Sequence, residues 1–152
     1  MKLLTLSLTL IFFCFNSESK KIFDAKSFEL KNGLKLVVVE NSRAPVVAQM
    51  IWYDFGSNVE KPGKSGLAHF MEHLMFKGTK NFRNNYFSNF LSKIGGSENA
   101  FTSYDYTAYY QIFPSKHLEK IIELEADRMK NLTLTKENVE IARTQLIYNT
   151  SL

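Results

Sequence analysis

Short stretches that alternate polar and apolar residues, or that are dense in β-branched and aromatic residues, predict five β-strands. Residues 27–31 alternate strictly, Asn32-Gly33 favours a tight hairpin turn, and residues 34–39 form the partner strand. The other predicted strands cover residues 46–55, 98–103 and 106–113. The strand at 46–55 is expected at the centre of the sheet, because β-branched and aromatic side chains suit a position between two neighbours.

Four further stretches carry apolar residues at helical spacing and predict helices. They cover residues 65–76, 85–94, 115–131 and 136–148. Gly78 is suited to end the first helix, and Ser115 and Thr135 are suited to begin the third and fourth. Strands, helices, strands and helices in this order predict an α+β fold, with helices packed on one face of a mostly antiparallel sheet.

The N-terminus has the pattern of a secretory signal peptide. A nearly continuous apolar run, Leu3–Phe15, follows a single lysine and is too short to span a bilayer comfortably. Small residues ahead of Lys20 predict cleavage after Ser19, so residues 1–19 are expected to be removed and the protein exported, to the periplasm or the medium of a bacterium. An uncleaved anchor and lipidation of Cys14 are the alternatives, and bulky residues before Cys14 disfavour lipidation.

Composition narrows the class of protein. The chain of 152 residues, with 45% hydrophobic residues, is long enough for one domain with a substantial core, which we expect at residues 20–152. The net charge of +4 is spread along the chain without Lys/Arg-rich runs, which argues against a nucleic-acid partner. The only cysteine lies in the predicted signal peptide, so the mature chain suits an oxidising compartment.

The predicted helix at 65–76 carries the candidate chemistry. His69 and His73 are four residues apart and therefore lie on one helix face, where two imidazoles can reach one ion. Glu72 lies close to the same face and could act as a general base toward water activated by zinc. The order H-x-x-E-H is the inverzincin signature. The alternative is a pair of core histidines on a helix rich in Met and Phe, and a single histidine would favour that alternative.

Several stretches together resemble the M16 family of zinc metallopeptidases, which includes pitrilysin, insulysin and the mitochondrial processing peptidase. The resemblance is to the N-terminal part of these proteins and extends to about Arg143. The stretches are Asn32-Gly33-Leu34-Lys35, Gly66–Thr79 with the histidine motif, Gly95–Thr102 followed by Asp105, Thr107 and Tyr109, and Leu124–Met129. The resemblance implies a half-domain of the LuxS/MPP-like metallohydrolase fold.

The resemblance also implies roles for individual residues. His69 and His73 would be zinc ligands, and Glu72 would be the general base of a metalloendopeptidase. Peptide substrates would lie extended along a strand edge. The residues of that edge would be Asn99, Ala100, Phe101 and Thr102. Ordinary hydrogen bonding within the sheet is the alternative reading of Asn99 and Thr102.

The chain departs from the family pattern near its C-terminus. The family's third zinc ligand is a glutamate on a later helix, and Asn149 stands at the matching position, with Ala142 where a helper acid is expected. Glu137 and Glu140 are on the same predicted helix, two or three turns away. The resemblance implies a second half or subunit that clamps the substrate. We therefore expect a truncated peptidase domain, with two alternatives: an inactive remnant or non-catalytic partner subunit, and a binding module whose histidines are structural.

Overall fold

The structure is a computed structural model that describes residues 24–83 and 85–150, apart from the side chains of residues 148–150. The predicted signal peptide and its cleavage site lie outside the described residues. None of the described helices is both long and apolar enough to cross a membrane. The chain divides into two compact units, which meet in sequence between residues 42 and 43.

The first unit contains the predicted hairpin. Strands β1 (Ala25–Glu29) and β2 (Lys35–Val39) pair antiparallel along their full lengths. The turn is closed by the Gly33 N–H, which donates to the Leu30 carbonyl at 2.9 Å, and Gly33 has a φ of 84°. A positive φ of this size is accessible to glycine at little cost, so Asn32-Gly33 forms the turn that the sequence predicts.

The second unit contains a sheet and the four predicted helices. Its three strands are antiparallel in the order β3-β5-β4. Short 3₁₀ turns occupy Ser57–Val59 and Ser115–His117. The strands are β3 (Val46–Tyr53), β4 (Ser97–Thr102) and β5 (Thr107–Pro114), and the helices are α1 (Leu67–Leu74), α2 (Tyr86–Lys93), α3 (Leu118–Asn131) and α4 (Lys136–Thr150).

The centre of the described sheet is β5, so the prediction that residues 46–55 form the central strand is wrong for this part of the chain. Ala108, Tyr109 and Phe113 of β5 are all at most 3% exposed, whereas alternate residues of β3 are exposed. Both strands are rich in β-branched or aromatic residues, and such composition does not distinguish burial on both faces from burial on one.

The helices cover one face of this sheet, which confirms the predicted α+β class. On that face Leu91 of α2, Phe113 of β5 and Ile121 of α3 are each at most 1% exposed and form the core. On the other face Trp52 and Phe101 stand opposite Ala108 in the strand register, with ring centroids 5.9 Å apart. Trp52 is 55% exposed, so the described residues leave an aromatic patch on that face uncovered.

A buried ion pair of α3 packs against Phe76, which follows the end of α1. Arg128 and Glu125 of α3 are each 3% exposed and joined by hydrogen bonds of 3.1 Å (Nε to Oε1) and 2.5 Å (Nη2 to Oε2). Gln111 of β5 also donates to Glu125, at 3.3 Å. The Arg128 guanidinium lies over the rings of Tyr109 and Phe76, 4.7 and 5.8 Å from their centroids. Because its charge is paired and its faces are covered by aromatic rings, Arg128 can be buried here at modest cost.

The loop after α1 is tied to the end of α3 around Asp127. The Asn81 and Asn131 side-chain amides donate to Asp127 Oδ1 at 2.5 and 2.6 Å, and Thr79 pairs with Leu132 in an isolated β-bridge. Burial opposes ionisation of Asp127, but hydrogen bonds from Thr79 and the two asparagines outweigh it and lower the pKa of this carboxyl. The loop therefore docks onto α3 through a charged acceptor.

The largest differences from the predicted helix bounds are at α1 and α3. Helix α1 covers Leu67–Leu74, two residues shorter at each end than the predicted 65–76, and its C-cap is Met75 instead of Gly78. Ser115 begins a 3₁₀ turn, and α3 itself begins at Leu118. The predicted start of α4 is confirmed, since the Thr135 hydroxyl accepts a hydrogen bond from the Asn138 N–H at 3.1 Å.

Candidate metal centre and catalytic site

The histidine helix begins on a carboxylate that the sequence analysis did not single out. Both oxygens of Glu60 accept backbone hydrogen bonds, from the Gly66 N–H at 2.9 Å and the Ala68 N–H at 2.8 Å. The first amides of a helix have no partner within the helix, and a negative charge there also favours the helix dipole. Glu60 thereby fixes where α1 starts. It is several residues before the helix, so local sequence patterns do not reveal it.

The two predicted ligands lie together. His69 Nε2 and His73 Nε2 are 3.3 Å apart, with ring centroids 4.9 Å apart and the rings tilted by 49°. Two nitrogens that bind one tetrahedral zinc at roughly 2.0–2.1 Å are separated by about 3.3 Å, so the pair fits this ion. The same separation also suits an Nε2–H···Nε2 hydrogen bond between two neutral rings. A pair of unrelated core histidines would not require the two Nε2 atoms to converge.

The protonation of His73 also suits metal binding. Burial lowers the pKa of His73, the neighbouring His69 lowers it further, and Glu72 opposes the shift. A lowered pKa keeps the ring neutral at neutral pH, which leaves a nitrogen lone pair available to a metal ion.

Glu72 lies against β4. Its Oε2 accepts a hydrogen bond from the Thr102 hydroxyl at 2.5 Å. Among the described residues no group of three His, Cys, Asp or Glu side chains has the geometry to hold a metal ion, so Glu72 does not join the histidine pair as a ligand. This position is compatible with the predicted role of Glu72 as a base beside the ion.

A wide cleft of about 570 Å³ opens between the histidine helix and β4. His69 and Glu72 line it from the helix side, and Ala100, Phe101 and Thr102 line it from β4. Strand β4 is at an edge of the described sheet, as the sequence analysis expected for residues 99–102. The Asn99 side chain accepts a hydrogen bond from the Ala100 N–H at 2.9 Å, so this edge amide already has a partner.

The C-terminal helix adds no carboxylate to the site in the described part of the chain. Helix α4 packs beside α1, where Lys77 Nζ donates to Gln145 Oε1 at 2.8 Å. Glu137 and Glu140 are exposed, and Ala142 is fully buried. The side chain of Asn149, the residue at the predicted third-ligand position, lies outside the described residues.

Comparison with known proteins agrees with the fold. The family "Insulinase (Peptidase family M16)" matches residues 36–151. The zinc protease PqqE of Helicobacter pylori is 39% identical over 123 residues, which are 80% of this chain and 28% of that protein. Subunit 1 of the mitochondrial cytochrome b-c1 complex of Bos taurus is 37% identical over 119 residues, or 78% of this chain and 25% of that protein.

A solved protease structure from Helicobacter pylori superposes with a TM-score of 0.79 at 36% identity, covering 84% of this chain and 31% of that one. The chain thus spans 28% and 25% of the length of the two curated relatives. The family match covers most of the chain and includes α1 with its histidine pair, so the chain belongs to peptidase family M16, the insulinase family.

Proposed function

We propose that this chain carries the zinc site of a peptide-hydrolysing enzyme. The observation that supports this most directly is the 3.3 Å separation of the His69 and His73 Nε2 atoms, which fits two corners of a zinc tetrahedron. Family membership and the relative named as a zinc protease support the same assignment.

The chain's own residues divide the chemistry between them. His69 and His73 would hold zinc, which when bound lowers the pKa of a water molecule and polarises a carbonyl oxygen. Glu72 would accept the water proton and later return it to the leaving amine. Thr102 donates to Oε2 of Glu72, so Oε1 would be the freer of the two oxygens to take the proton.

Strand β4 would bind the peptide. An extended substrate can add to an exposed sheet edge, where backbone hydrogen bonds hold it without regard to its sequence. The edge residues Asn99, Ala100, Phe101 and Thr102 run along the cleft beside Glu72. A peptide there would place a carbonyl near the carboxylate and the histidine pair.

A non-catalytic role on the same fold is the second candidate. It is favoured by Asn149 at the predicted third-ligand position, since a neutral amide offsets none of the charge of the ion. A relative named as a subunit of the cytochrome b-c1 complex is also compatible with a structural role. In either case the partner would be a second M16-type half or subunit. Export through the predicted signal peptide is part of the proposal.

Metal analysis of the purified mature chain tests the proposal. A peptidase site predicts about one zinc per chain and peptide hydrolysis that Glu72→Gln abolishes while zinc remains bound. A non-catalytic member predicts weaker zinc binding and no hydrolysis. If His69→Ala and His73→Ala change stability but leave the metal content unchanged, the histidines are structural and the proposal fails.

Asn149→Glu tests the third-ligand position. We expect zinc to bind at least tenfold more tightly, because a carboxylate adds a charged ligand. Asn149→Gln, which restores length without charge, is the matched control. Equal affinity of the wild type and both variants would place the third ligand elsewhere.

A further inference from the structure

A carboxylate on a helix three residues after a metal-binding histidine can reach the same ion. Glutamate has three rotatable side-chain bonds, and positions three and four apart share a helix face. The Glu72 side chain is therefore long enough to coordinate an ion held by His69 and His73. In the structure it does not take this position, and its Oε2 is instead bound by Thr102.

The position of the Thr102 hydroxyl is fixed by the β4–β5 hairpin. Thr102 and Thr107 stand directly opposite each other in the register, with their Oγ1 atoms 3.4 Å apart. Thr107 Oγ1 donates its proton to the Phe55 carbonyl at 2.9 Å, which fixes the Thr107 hydroxyl against the segment that follows β3.

The direction of each hydrogen bond follows from the number of protons. A threonine hydroxyl has one proton to donate, and an ionised carboxylate has none. Thr102 is therefore the donor to Glu72, and the Thr107 proton is held by the Phe55 carbonyl, so the two threonine hydroxyls lie in contact without a hydrogen bond between them. A hydroxyl that donates to a carboxylate makes a short, charge-assisted bond, and the observed 2.5 Å is in that range.

We propose that Thr102 is a positioning residue whose hydroxyl holds Glu72 on β4 and keeps this carboxylate from becoming a ligand of the ion between His69 and His73. The proposal rests on the proposed zinc site. Coordination would remove the carboxylate from the role of base, so Thr102 would preserve the division between two ligands and one base. This is a role of the side chain, separate from any backbone contact of β4 with a peptide.

The test compares the metal affinity of the wild-type chain with that of Thr102→Val and Thr102→Ser. Valine keeps the shape and removes the donor, whereas serine keeps the donor. We expect Thr102→Val to bind Co²⁺ and Zn²⁺ about tenfold more tightly, because the released Glu72 adds a ligand, and Thr102→Ser to match the wild type. The Co²⁺ absorption spectrum should change in Thr102→Val, which reports a new ligand rather than a general change in stability.

Glu72→Gln provides the second arm of the experiment. In that background Thr102→Val should leave the affinity and the spectrum unchanged, since no carboxylate remains to be released. Thr144→Val, at an exposed threonine of α4 that donates to the Glu140 carbonyl, is the matched control and should have no effect. Where the wild type binds metal, the proposal is overturned if Thr102→Val binds it with the same affinity, or if Thr102→Val tightens binding equally in the Glu72→Gln background.

A metal-free measurement separates this proposal from the zinc proposal. If the wild type binds no metal, the proposed function fails, and crystal structures of the metal-free wild type and Thr102→Val decide the role of Thr102. The positioning role requires the Glu72 carboxylate to leave β4 in Thr102→Val and to stay in Thr102→Ser. A Glu72 side chain that keeps its place in Thr102→Val would overturn the proposal.

Discussion

At the residue scale, the half-buried carboxyl of Glu98 and the buried carboxyl of Asp127 have pKa values shifted in opposite directions. Glu98 has its pKa raised by burial, which the hydrogen bond from Ser88 only partly offsets, and its Oε2 is buried without a hydrogen-bond partner among the described residues. Asp127 has its pKa lowered, because three side chains donate to it. The two residues should therefore respond to pH in opposite ways.

Asp127→Asn should destabilise the protein at neutral pH by about 1–2 kcal/mol, because the charged acceptor is lost. A lowered pKa in the folded state contributes stability above the unfolded value of 3.8, and this contribution is lost as pH falls through the folded pKa. Urea unfolding at pH 7 and at acid pH measures the free energy of unfolding of the variant and of the wild type. The difference between the two should be smaller at acid pH. An equal difference at both pH values would contradict the role of the charge.

Glu98→Gln should stabilise the protein at neutral pH. The pKa of Glu98 is raised above 4.5, so the charged form is disfavoured in the folded state and wild-type stability falls as pH rises above that value. The gain of the variant should vanish below pH 4.5, where the wild-type carboxyl is also neutral. The same urea series measures both variants, and a loss of stability at neutral pH would show that the Glu98 charge is favourable.

The site residues differ in how far the sequence could predict them. His69 and His73 converge because helical geometry alone brings residues four apart onto one face. The contact of Glu72 with Thr102 joins residues 30 positions apart, and it depends on how α1 docks on β4. The Glu60 contacts depend on the path of a loop. Local patterns carry no information on either.

At the element scale, α1 depends on Glu60 for its first turn. Glu60→Ala should leave the Gly66 and Ala68 amides without their acceptor and cost about 1–2 kcal/mol of local stability. Amide hydrogen exchange should show lost protection in α1, while the β3–β5 pair is unaffected. Glu60→Gln keeps one good acceptor, so the protection of its α1 amides should lie between that of the wild type and that of Glu60→Ala. Uniform loss of protection throughout the chain would mean that Glu60 supports the fold as a whole.

The type of each element could be predicted from the sequence, but its ends and neighbours could not. All four helices and all five strands are present. Ser115 is a favourable capping residue, yet the chain forms a 3₁₀ turn there, and α3 begins three residues later. The strand order depends on which residues meet across the sheet, and β3 and β5 have similar compositions.

At the scale of the whole molecule, the second unit has one well-packed face of its sheet and one aromatic face. Trp52 is 55% exposed and Ile112 46% exposed, and both lie on the face without helices. We expect this face to bind an apolar fluorescent dye in the folded state, and Ile112→Thr to reduce the dye signal without loss of secondary structure. Ile141→Thr, at a residue of α4 that is 43% exposed, is the control. Equal signals from the wild type and Ile112→Thr would contradict this expectation.

The hydrogen bond between the Asn99 side chain and the Ala100 N–H has a consequence for what the strand edge admits. An extended segment of another chain gains no hydrogen bond from the Ala100 N–H while this group donates to Asn99, so non-specific strand pairing at this edge is disfavoured. A peptide substrate that binds here must replace the hydrogen bond from the Ala100 N–H to Asn99 with one of its own, and its other contacts must supply the binding energy. Removing the Asn99 side chain would free the Ala100 N–H, so the edge would pair more readily with other strands and the protein would aggregate more readily.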